Sequence, residues 1–515
     1  MTEASSNPEL DALRTENAKL KAALAQVTQQ LEWFKRQLFG RKSERHLPVD
    51  PSQGNLLADL APAPPVGEAP SETVTDTRRK PKDRGNAVLD SGLRFDETVP
   101  VQVIEQPAPE LQGPEADAFE IIGEKITHRL AQRPGAYVIL EYHRPVLKRH
   151  GTEQLSTTPA PPNVLDRSVA DVSFLAGMLI DKFLYHMPLY RQHQRLLQSG
   201  IQLSRMTLCV LAARAIDLLE PIYKAQLEHI RQGRVVTVDE TPIKAGRSAP
   251  GKMRSAYFWP VYGEDDEICF PYASNRHFDN VEKILGANFT GVLQSDGYGA
   301  YERFTELVQA VTHAGCWSHT RRYFERALDA EPQAAGEALR QIRAFYTVEE
   351  EIRVRGLEGA EKLALRTEKT LPKVQDFWRW CDEQCHRPDL TPSNPLSKAL
   401  VYARGRIEAL QVFLYDPDVA IDTNHIERAL RPIPMGRSNF LFAWTELGAK
   451  QIGIIQSLIV TCRLQGISPS VYLTDVLQRV GQHPARDVID LTPRRWKVLF
   501  ADNPLRSDLD RPPSA

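Results

Sequence analysis

The stretch from Arg234 to Tyr301 constrains the fold of this chain more than any other. Val235-Val-Thr-Val238 is a β-branched run that ends in Asp239, and Pro242 is expected to stop its pairing. A short apolar run closed by a polar residue and a proline predicts a buried strand. Two further strand-like runs follow, Tyr257-Phe-Trp-Pro-Val-Tyr262 and Ile268-Cys-Phe-Pro-Tyr272, joined by a turn at Gly263-Glu-Asp-Asp-Glu267. A short helical stretch from Asp279 to Leu285 leads to Gly291-Val-Leu-Gln294. This second apolar strand ends near Asp296, ahead of Gly297.

Three strands, a helix and a fourth strand, with acids ending the first and the fourth, predict a ribonuclease-H-like sheet. If those two strands are neighbours, Asp239 and Asp296 face each other. Two close carboxylates repel unless a cation lies between them, which points to a hard divalent metal. Taken singly, each reads equally well as an aspartate closing a strand at a turn. A third acid comes from Asp422-Thr-Asn-His-Ile-Glu427-Arg-Ala-Leu-Arg431. Asp422 or Thr423 can cap a helix that shows Asn424, Glu427 and Arg431 on one face. An amide and a carboxylate there can complete a metal shell, and an arginine can hold a phosphate. Alone, the segment also reads as a solvated helix face.

Four motifs occur in order: Val238-Asp-Glu-Thr-Pro, Gln294-Ser-Asp-Gly-Tyr, Cys316-Trp-Ser-His-Thr-Arg-Arg322-Tyr-Phe and Asn424-His-Ile-Glu-Arg-Ala-Leu-Arg-Pro. Together they resemble the Asp-Asp-Glu transposases of the insertion sequence 66 family. The resemblance extends from the N-terminal helix to Arg494-Arg-Trp496. It carries the catalytic and metal-binding triad onto Asp239, Asp296 and Glu427, with Asp422 the nearest rival of Glu427. Glu264, Asp265 and Asp266 read as an exposed hairpin turn. The implied cofactor is a pair of Mg²⁺ ions, or Mn²⁺, about 4 Å apart. The implied chemistry is cleavage of double-stranded DNA at the element's ends and transfer of the cut strand into target DNA. Val308 to Trp317 predicts a fifth strand ending near this site, after which His319, Arg321 and Arg322 open a helix. His319 and Arg322 are placed in the catalytic set because basic groups at a helix start can grip a phosphodiester. Arg431 and Arg437 are assigned to DNA binding. Relatives work with small accessory proteins of the same element.

Composition adds bounds. The chain has 515 residues, with 64 basic and 66 acidic side chains for a net charge of −2. Such a balance gives no whole-chain signal for nucleic acid, so DNA-binding charge must be local. No apolar run approaches a membrane span, and Met1 leads into polar sequence unlike a signal peptide. The six cysteines form no Cys-x-x-Cys pair. A reducing bacterial cytoplasm, with association to the nucleoid, is expected.

The remaining segments predict a multidomain α+β chain. Leu10, Leu13, Asn17, Leu20, Leu24, Val27, Leu31, Phe34 and Leu38 make a heptad seam. Residues 8–45 therefore read as a coiled coil followed by a basic motif, with Asn17 at a position that favours a parallel dimer. Arg36, Arg41, Lys42 and Arg45 at its end are candidate DNA contacts. Residues 46–94, rich in Pro, Ala, Ser and Thr, read as a disordered linker. Residues 95–165 predict a small β module from the runs Val99–Ile104, Phe119–Ile122, Tyr137–Tyr142 and Pro145–Lys148. Relatives carry a cysteine zinc module here. No cysteine precedes Cys209, so no zinc is expected, and His128, His143 and His150 are too irregularly spread to suggest a site.

Residues 168–231 predict helices at Val169–Leu184, from Pro188 to about Gln198, and from Ser204 through Leu219. The Ser199-Gly-Ile turn between the last two is compatible with a helix-turn-helix, with Arg191, Arg195 and Arg205 as DNA contacts. An ordinary helical bundle fits the same spacing. A catalytic domain over 232–445 carries an all-helical insertion at about 330–415. In the insertion, Cys381, Cys385 and His386 read as packing residues. A helical region at 446–500 and a disordered tail at 501–515 finish the chain. Two other functions fit these residues: a nuclease that cuts without joining strands, and a non-catalytic DNA-binding descendant.

Overall fold

A computed structural model describes Asn17, Lys21 and residues 93–112, 116–133, 135–150, 153, 155–249, 252–440 and 443–510. The expected coiled coil, its basic residues Arg36, Arg41, Lys42 and Arg45, and nearly all of the expected linker lie outside the described residues; Asn17 and Lys21 are helical and exposed. The elements below belong to the larger of two units, Asn86–Leu328 with Pro332–Ala515. Helices and several sheets alternate along it, so the fold is mixed α+β.

The first sheet is built on a long hairpin. Strands β1 (Arg94–Phe95) and β2 (Val101–Glu105) precede β3 (Phe119–Arg133) and β4 (Ala136–Arg149), and β5 is Leu155–Thr157. β3 and β4 pair antiparallel from Phe119↔Arg149 to Arg133↔Ala136, while β2 runs parallel to β4. Three of the four predicted runs are thus parts of two long strands, and Val99–Ile104 corresponds to β2. Most of the first half of β3 is exposed, so it carries no inside–outside alternation that could mark it as a strand. Pro145 is accommodated within β4 opposite Glu124, and the register shifts next to it, between Ile121 and Gly123.

Helices Val172–Phe183, Leu189–Gln198 and Arg205–Arg231 follow, with β6 (Ile201–Gln202) between the last two. Asp171 and Ser204 cap the first and third through the amides of Ser173 and Thr207. The third helix does not stop at Leu219. It continues through Pro221, because Ile222, Leu227 and Ile230 beyond it are buried. Packing of that apolar face outweighs a proline cost of about 3 kcal/mol. The turn at Ser199–Gly200 is held from outside: β6 pairs antiparallel with β1.

The central sheet uses β7 (Val235–Val238), β10 (Val261–Tyr262), β11 (Ile268–Cys269), β13 (Gly291–Gln294) and β14 (Val311–Ala314) in the order β11-β10-β7-β13-β14. β10 is antiparallel to β7 and β11, whereas β13 is parallel to β7 and β14. Pro242 does not end the local sheet structure. Strand β8 (Thr241–Ala249) contains it and joins β9 (Lys252–Phe258) and β12 (Tyr272–Ala273) in a separate sheet, where β8 is an edge. An edge strand tolerates a residue with no N–H. Pro260 and Pro271 similarly separate β9 from β10 and β11 from β12.

Strand parity divides the core. Val236, Val238 and Leu293 face a cluster with Trp259, Tyr301 and Phe304. Val235 and Val292 face the other way, into a cluster with Trp317, Phe324, Phe377 and Leu410. The latter is the core of the insertion, built from helices Pro332–Arg355, Gly359–Leu365, Leu371–Cys385, Pro395–Arg404 and Ile407–Tyr415. Cys381 packs in that core, while Cys385 is exposed. Helices Asn424–Leu430 and Pro432–Phe440 return the chain to the sheet, and Glu446–Leu464 and Pro469–Arg479 pack into a third cluster with Val172–Phe183 and Arg205–Arg231.

The expected C-terminal tail is structured over most of its length. After helix Pro493–Leu499 the chain returns to the β module, where Ser507 bonds Asp171, Tyr142 donates to Asp508 at 2.8 Å, and Arg133 donates to the Leu509 carbonyl at 3.1 Å. Leu509 is buried against Ile104, Ala131, Val138, Leu140 and Tyr142. The polar, Pro-rich composition concealed one apolar anchor and its long-range partners.

Candidate active site

Register brings the two aspartates together. Val235, Val236 and Thr237 lie opposite Val292, Leu293 and Gln294 in the parallel pair β7–β13. Asp239 and Asp296 each lie two residues beyond the register pair Thr237↔Gln294. Neighbouring strands are about 4.8 Å apart, and side chains alternate faces with period two. Asp239 therefore shares parity with Val235 and Thr237, and Asp296 shares it with Val292 and Gln294. Both belong to the face that the insertion covers. Backbone pairing continues past the strands, since the Asp239 amide donates to Pro260 O at 3.3 Å and the Ser295 amide donates to Ala314 O at 3.1 Å. The Tyr298 amide then donates to Asp296 at 2.9 Å, and the Glu240 amide to Asp239 at 2.7 Å. These amides hold the carboxylates at the sheet's edge.

Two helices cover this edge. Trp317–Ala327 begins directly after β14 and carries His319 and Arg322. Asn424–Leu430 carries Glu427. The connection into the second helix is fixed to the first: the Trp317 amide donates to Ile421 O at 3.1 Å, and the Thr423 amide lies 3.3 Å from Cys316 Sγ. Gln294 donates to Ala420 O at 2.6 Å, tying the same connection to β13. Arg322 donates to Glu427 at 3.2 Å, and His319 Nε2 lies 3.6 Å from the same Glu427 oxygen. Asp422 precedes the N-cap Thr423 and is engaged in a local turn, accepting from the Asn424 amide and side chain at 3.0 and 2.6 Å. That separates it from Glu427. Glu264, Asp265 and Asp266 form an exposed turn, as expected.

The electrostatics record the crowding. Burial, reinforced by the charges of Asp296 and Glu427, pushes the Asp239 carboxyl up to about 7, against the pull of Arg276 and Arg322. Burial, joined by Arg322, holds His319 below the usual imidazole range against the pull of Asp296 and Glu427. Three carboxylates, with the Asn424 amide on the same helix as Glu427, form a hard oxygen donor set of the kind divalent Mg²⁺ or Mn²⁺ takes. A cation would also offset the burial and the neighbouring charges that raise the Asp239 pKa. The three carboxylates are not among the described groupings tight enough to clasp one ion; those are Glu105–Glu124–His143 and His229–Asp265–Glu267. Glu427 is instead turned onto Arg322 and His319.

One residue near the site was missed. Glu240 follows Asp239 and its side chain is only 4% exposed. It is ion-paired with Arg276 and accepts from the Tyr301 hydroxyl at 2.6 Å. The Arg276 guanidinium lies 3.9 Å from the Tyr298 ring centre. This network braces the two aspartate turns against each other. The acid directly after Asp239 and the two tyrosines after Asp296 were its only signal in sequence.

Other singled-out residues lie elsewhere. Arg191 and Arg205 are exposed near the Ser199–Gly200 turn, and Arg205 lies over the Tyr190 ring. Arg195 is committed inward, to Asp181 and to the Tyr137 hydroxyl at 2.7 Å. Arg431 is exposed, and Arg437 donates to the Pro242 carbonyl. The β hairpin aligns two histidines that looked scattered. Glu141 lies 2.7 Å from both His128 and His143, and Glu124 lies 2.8 Å from His143. Only the β3–β4 pairing, His128↔Glu141 and Ile126↔His143, makes them neighbours.

The fold and site define a protein organised around acids at the tips of two parallel strands and on the helix laid over them. The chain belongs to the IS66 family of transposases: the family model "Transposase IS66 family" matches residues 167–451. The model "IS66 C-terminal element" matches residues 457–494, and "Transposase C of IS166 homeodomain" matches residues 26–104. Uncharacterized protein y4hP of Sinorhizobium fredii is 31% identical over 405 residues, covering 74% of this chain and 72% of its own. Uncharacterized protein y4qI of the same organism is 28% identical, covering 96% of this chain and 94% of its own. A third, y4jD, is 27% identical over 93% of this chain and 96% of its own. Among the described residues, no helix is long and apolar enough to cross a membrane.

Proposed function

We propose that the chain is a DNA transposase whose ribonuclease-H-like domain cuts DNA at the ends of an insertion sequence and joins the freed strand to target DNA. The observation that supports this reading is the register of β7 and β13, which leaves Asp239 and Asp296 each two residues past one paired position, with the charge of Glu427 acting on Asp239. The strand order β11-β10-β7-β13-β14, with only the last three parallel, supports that reading. Asp239, Asp296 and Glu427 would hold two Mg²⁺ or Mn²⁺ ions. Bound there, the ions supply activation of the attacking oxygen and stabilisation of the leaving oxygen.

The chain's own groups do the positioning. The Tyr298 and Glu240 amides orient the aspartates. Arg322, now on Glu427, is placed to move to a phosphate oxygen when Glu427 takes up a cation. His319 lies beside them as a hydrogen-bonding group. Arg191, Arg205, Arg431 and Arg437, with Arg36, Arg41, Lys42 and Arg45, supply phosphate contacts, and the homeodomain match at 26–104 supports DNA binding by the N-terminal part. A coiled-coil dimer would bring two element ends together in a cytoplasmic, nucleoid-bound complex, with accessory proteins of the element.

The test is strand cleavage and joining on labelled duplexes of the terminal repeats, with Mg²⁺. Both reactions are expected for the wild type. Asp239→Asn, Asp296→Asn and Glu427→Gln should each lower the rate by roughly 10³-fold or more. Tight end binding with no chemistry in any divalent metal would overturn the enzyme reading and leave a DNA-binding descendant. Cutting without joining would leave a nuclease.

A further inference from the structure

A cavity of about 530 Å³ opens beside the carboxylates where three helices meet. Trp317–Ala327, the helix of His319 and Arg322, lines it with Ser318 and Arg321. Pro332–Arg355, the first helix of the insertion, lines it with Leu339, Arg340, Arg343 and Tyr346. Asn424, three residues before Glu427, closes it. Positions three apart share a helix face, so Ser318 with Arg321, and Arg340 with Arg343 and with Leu339 beside it, present coherent walls.

The cavity has the chemistry of a nucleotide site. Three arginines and no acid line it, although Asp422 stands behind the lining residues Tyr346 and Asn424. Arg321 is paired at 2.9 Å with Glu325 and Arg340 with Glu337, both within one turn of their own helices. Such exposed pairs contribute only a few tenths of a kcal/mol and yield to a phosphate, which takes arginine in a two-pronged grip. Arg343 is exposed and has no ion pair among the described residues. Leu339 and the Tyr346 ring supply an apolar wall, the surface on which an unstacked base lies. The volume lies within the roughly 300–1,000 Å³ range of small-ligand pockets.

We propose that this cavity takes one unstacked nucleotide of the DNA strand next to the phosphodiester under attack, with its phosphate on Arg343, Arg340 and Arg321 and its base against Tyr346 and Leu339. The position relative to the scissile bond rests on the function proposed above; the nucleotide site itself does not. On this view the insertion helix continues the cleft, and the insertion is a strand guide as well as a scaffold.

The experiment measures binding of a labelled single-stranded pentanucleotide and of a blunt terminal-repeat duplex to the full chain in EDTA, across a salt series. Arg343→Ala should weaken pentanucleotide binding by about tenfold and lower the slope of log affinity against log salt by about 0.7, the loss of one phosphate contact on a single strand. Duplex binding should hold within about twofold. Arg343→Lys should restore the slope, and Leu339→Trp, which fills the cavity but keeps every charge, should weaken the pentanucleotide alone. Unchanged affinity and slope in Arg343→Ala, or no pentanucleotide binding by the wild type, would overturn the site. Equal competition by an acidic polypeptide would also overturn it, as a general anion patch. Metal-dependent cleavage with unaltered Arg343→Ala would sink this site and leave the transposase reading standing. The expected binding pattern without cleavage would do the reverse.

Discussion

In the proposed site, Asp239 is the carboxylate whose pKa burial and its neighbours raise. Its carboxyl titrates near 7 when folded against a usual 3.8. The folded state thus holds a proton that the unfolded chain has released. Stability from this group is full below the unfolded value and is lost as pH rises through the folded one. Without metal, unfolding free energy should fall by up to about 4 kcal/mol as pH climbs between those values. Denaturant unfolding in EDTA at several pH values should show this fall, and Asp239→Asn should flatten it. The proton must leave before a cation is held, so Mg²⁺ affinity should tighten with rising pH. Beside it, Glu240 is buried on the Tyr301 hydroxyl and Arg276. Tyr301→Phe should cost about 1–3 kcal/mol, read by the same unfolding method, because it leaves a buried acceptor short of a donor. Asp239 and Asp296 were legible because each ended an apolar run. Glu240 was not, since nothing local distinguishes a buried acid from an exposed one.

At the scale of elements, the segment leading to Glu427 is anchored through the insertion by Arg366. This arginine is fully buried; its guanidinium bonds both Glu349 oxygens at 2.8 Å and the carbonyls of Asp416 and Val419 at 3.1 and 3.2 Å. Arg366→Met should destabilise the protein by about 3–5 kcal/mol, because Glu349 and three carbonyls, those of Phe413, Asp416 and Val419, lose their partner. It should also loosen protease protection around 413–423 before the sheet unfolds, as limited proteolysis with mass spectrometry would show. Gly291 is the corresponding hinge on the other side. It opens β13 at φ +109°, and a Cβ there would sit 2.2 Å from Arg234 O. Gly291→Ala should displace β13 from β7 and thereby the two aspartates from one another, lowering cleavage more than substrate binding.

Strands were readable where a short apolar run is buried on both faces, as in β7 and β13, and helices where burial follows a period, as over 172–231. Lengths were not. The β3–β4 hairpin and the helix through Pro221 are sustained by partners far along the chain, which no local window contains.

At the scale of the molecule, the chain's last described residues complete its first sheet. Removing residues 503–515 takes away Leu509 and the bonds to Asp171, Tyr142 and Arg133. The truncated protein should lose a few degrees in Tm. Hydrogen exchange should rise in 126–143, and the tips of β7 and β13 should remain protected.

The same contact sets a schedule. Arg133 and Leu509 are 376 residues apart. At about 5–20 residues per second, a ribosome needs roughly 20–75 s to pass from one to the other. Throughout that time the hairpin lacks its closing leucine, and Glu427 follows Asp296 only after a further 131 residues. The third acid of the proposed site is therefore the last to be made, and the cleft can form only late in that interval.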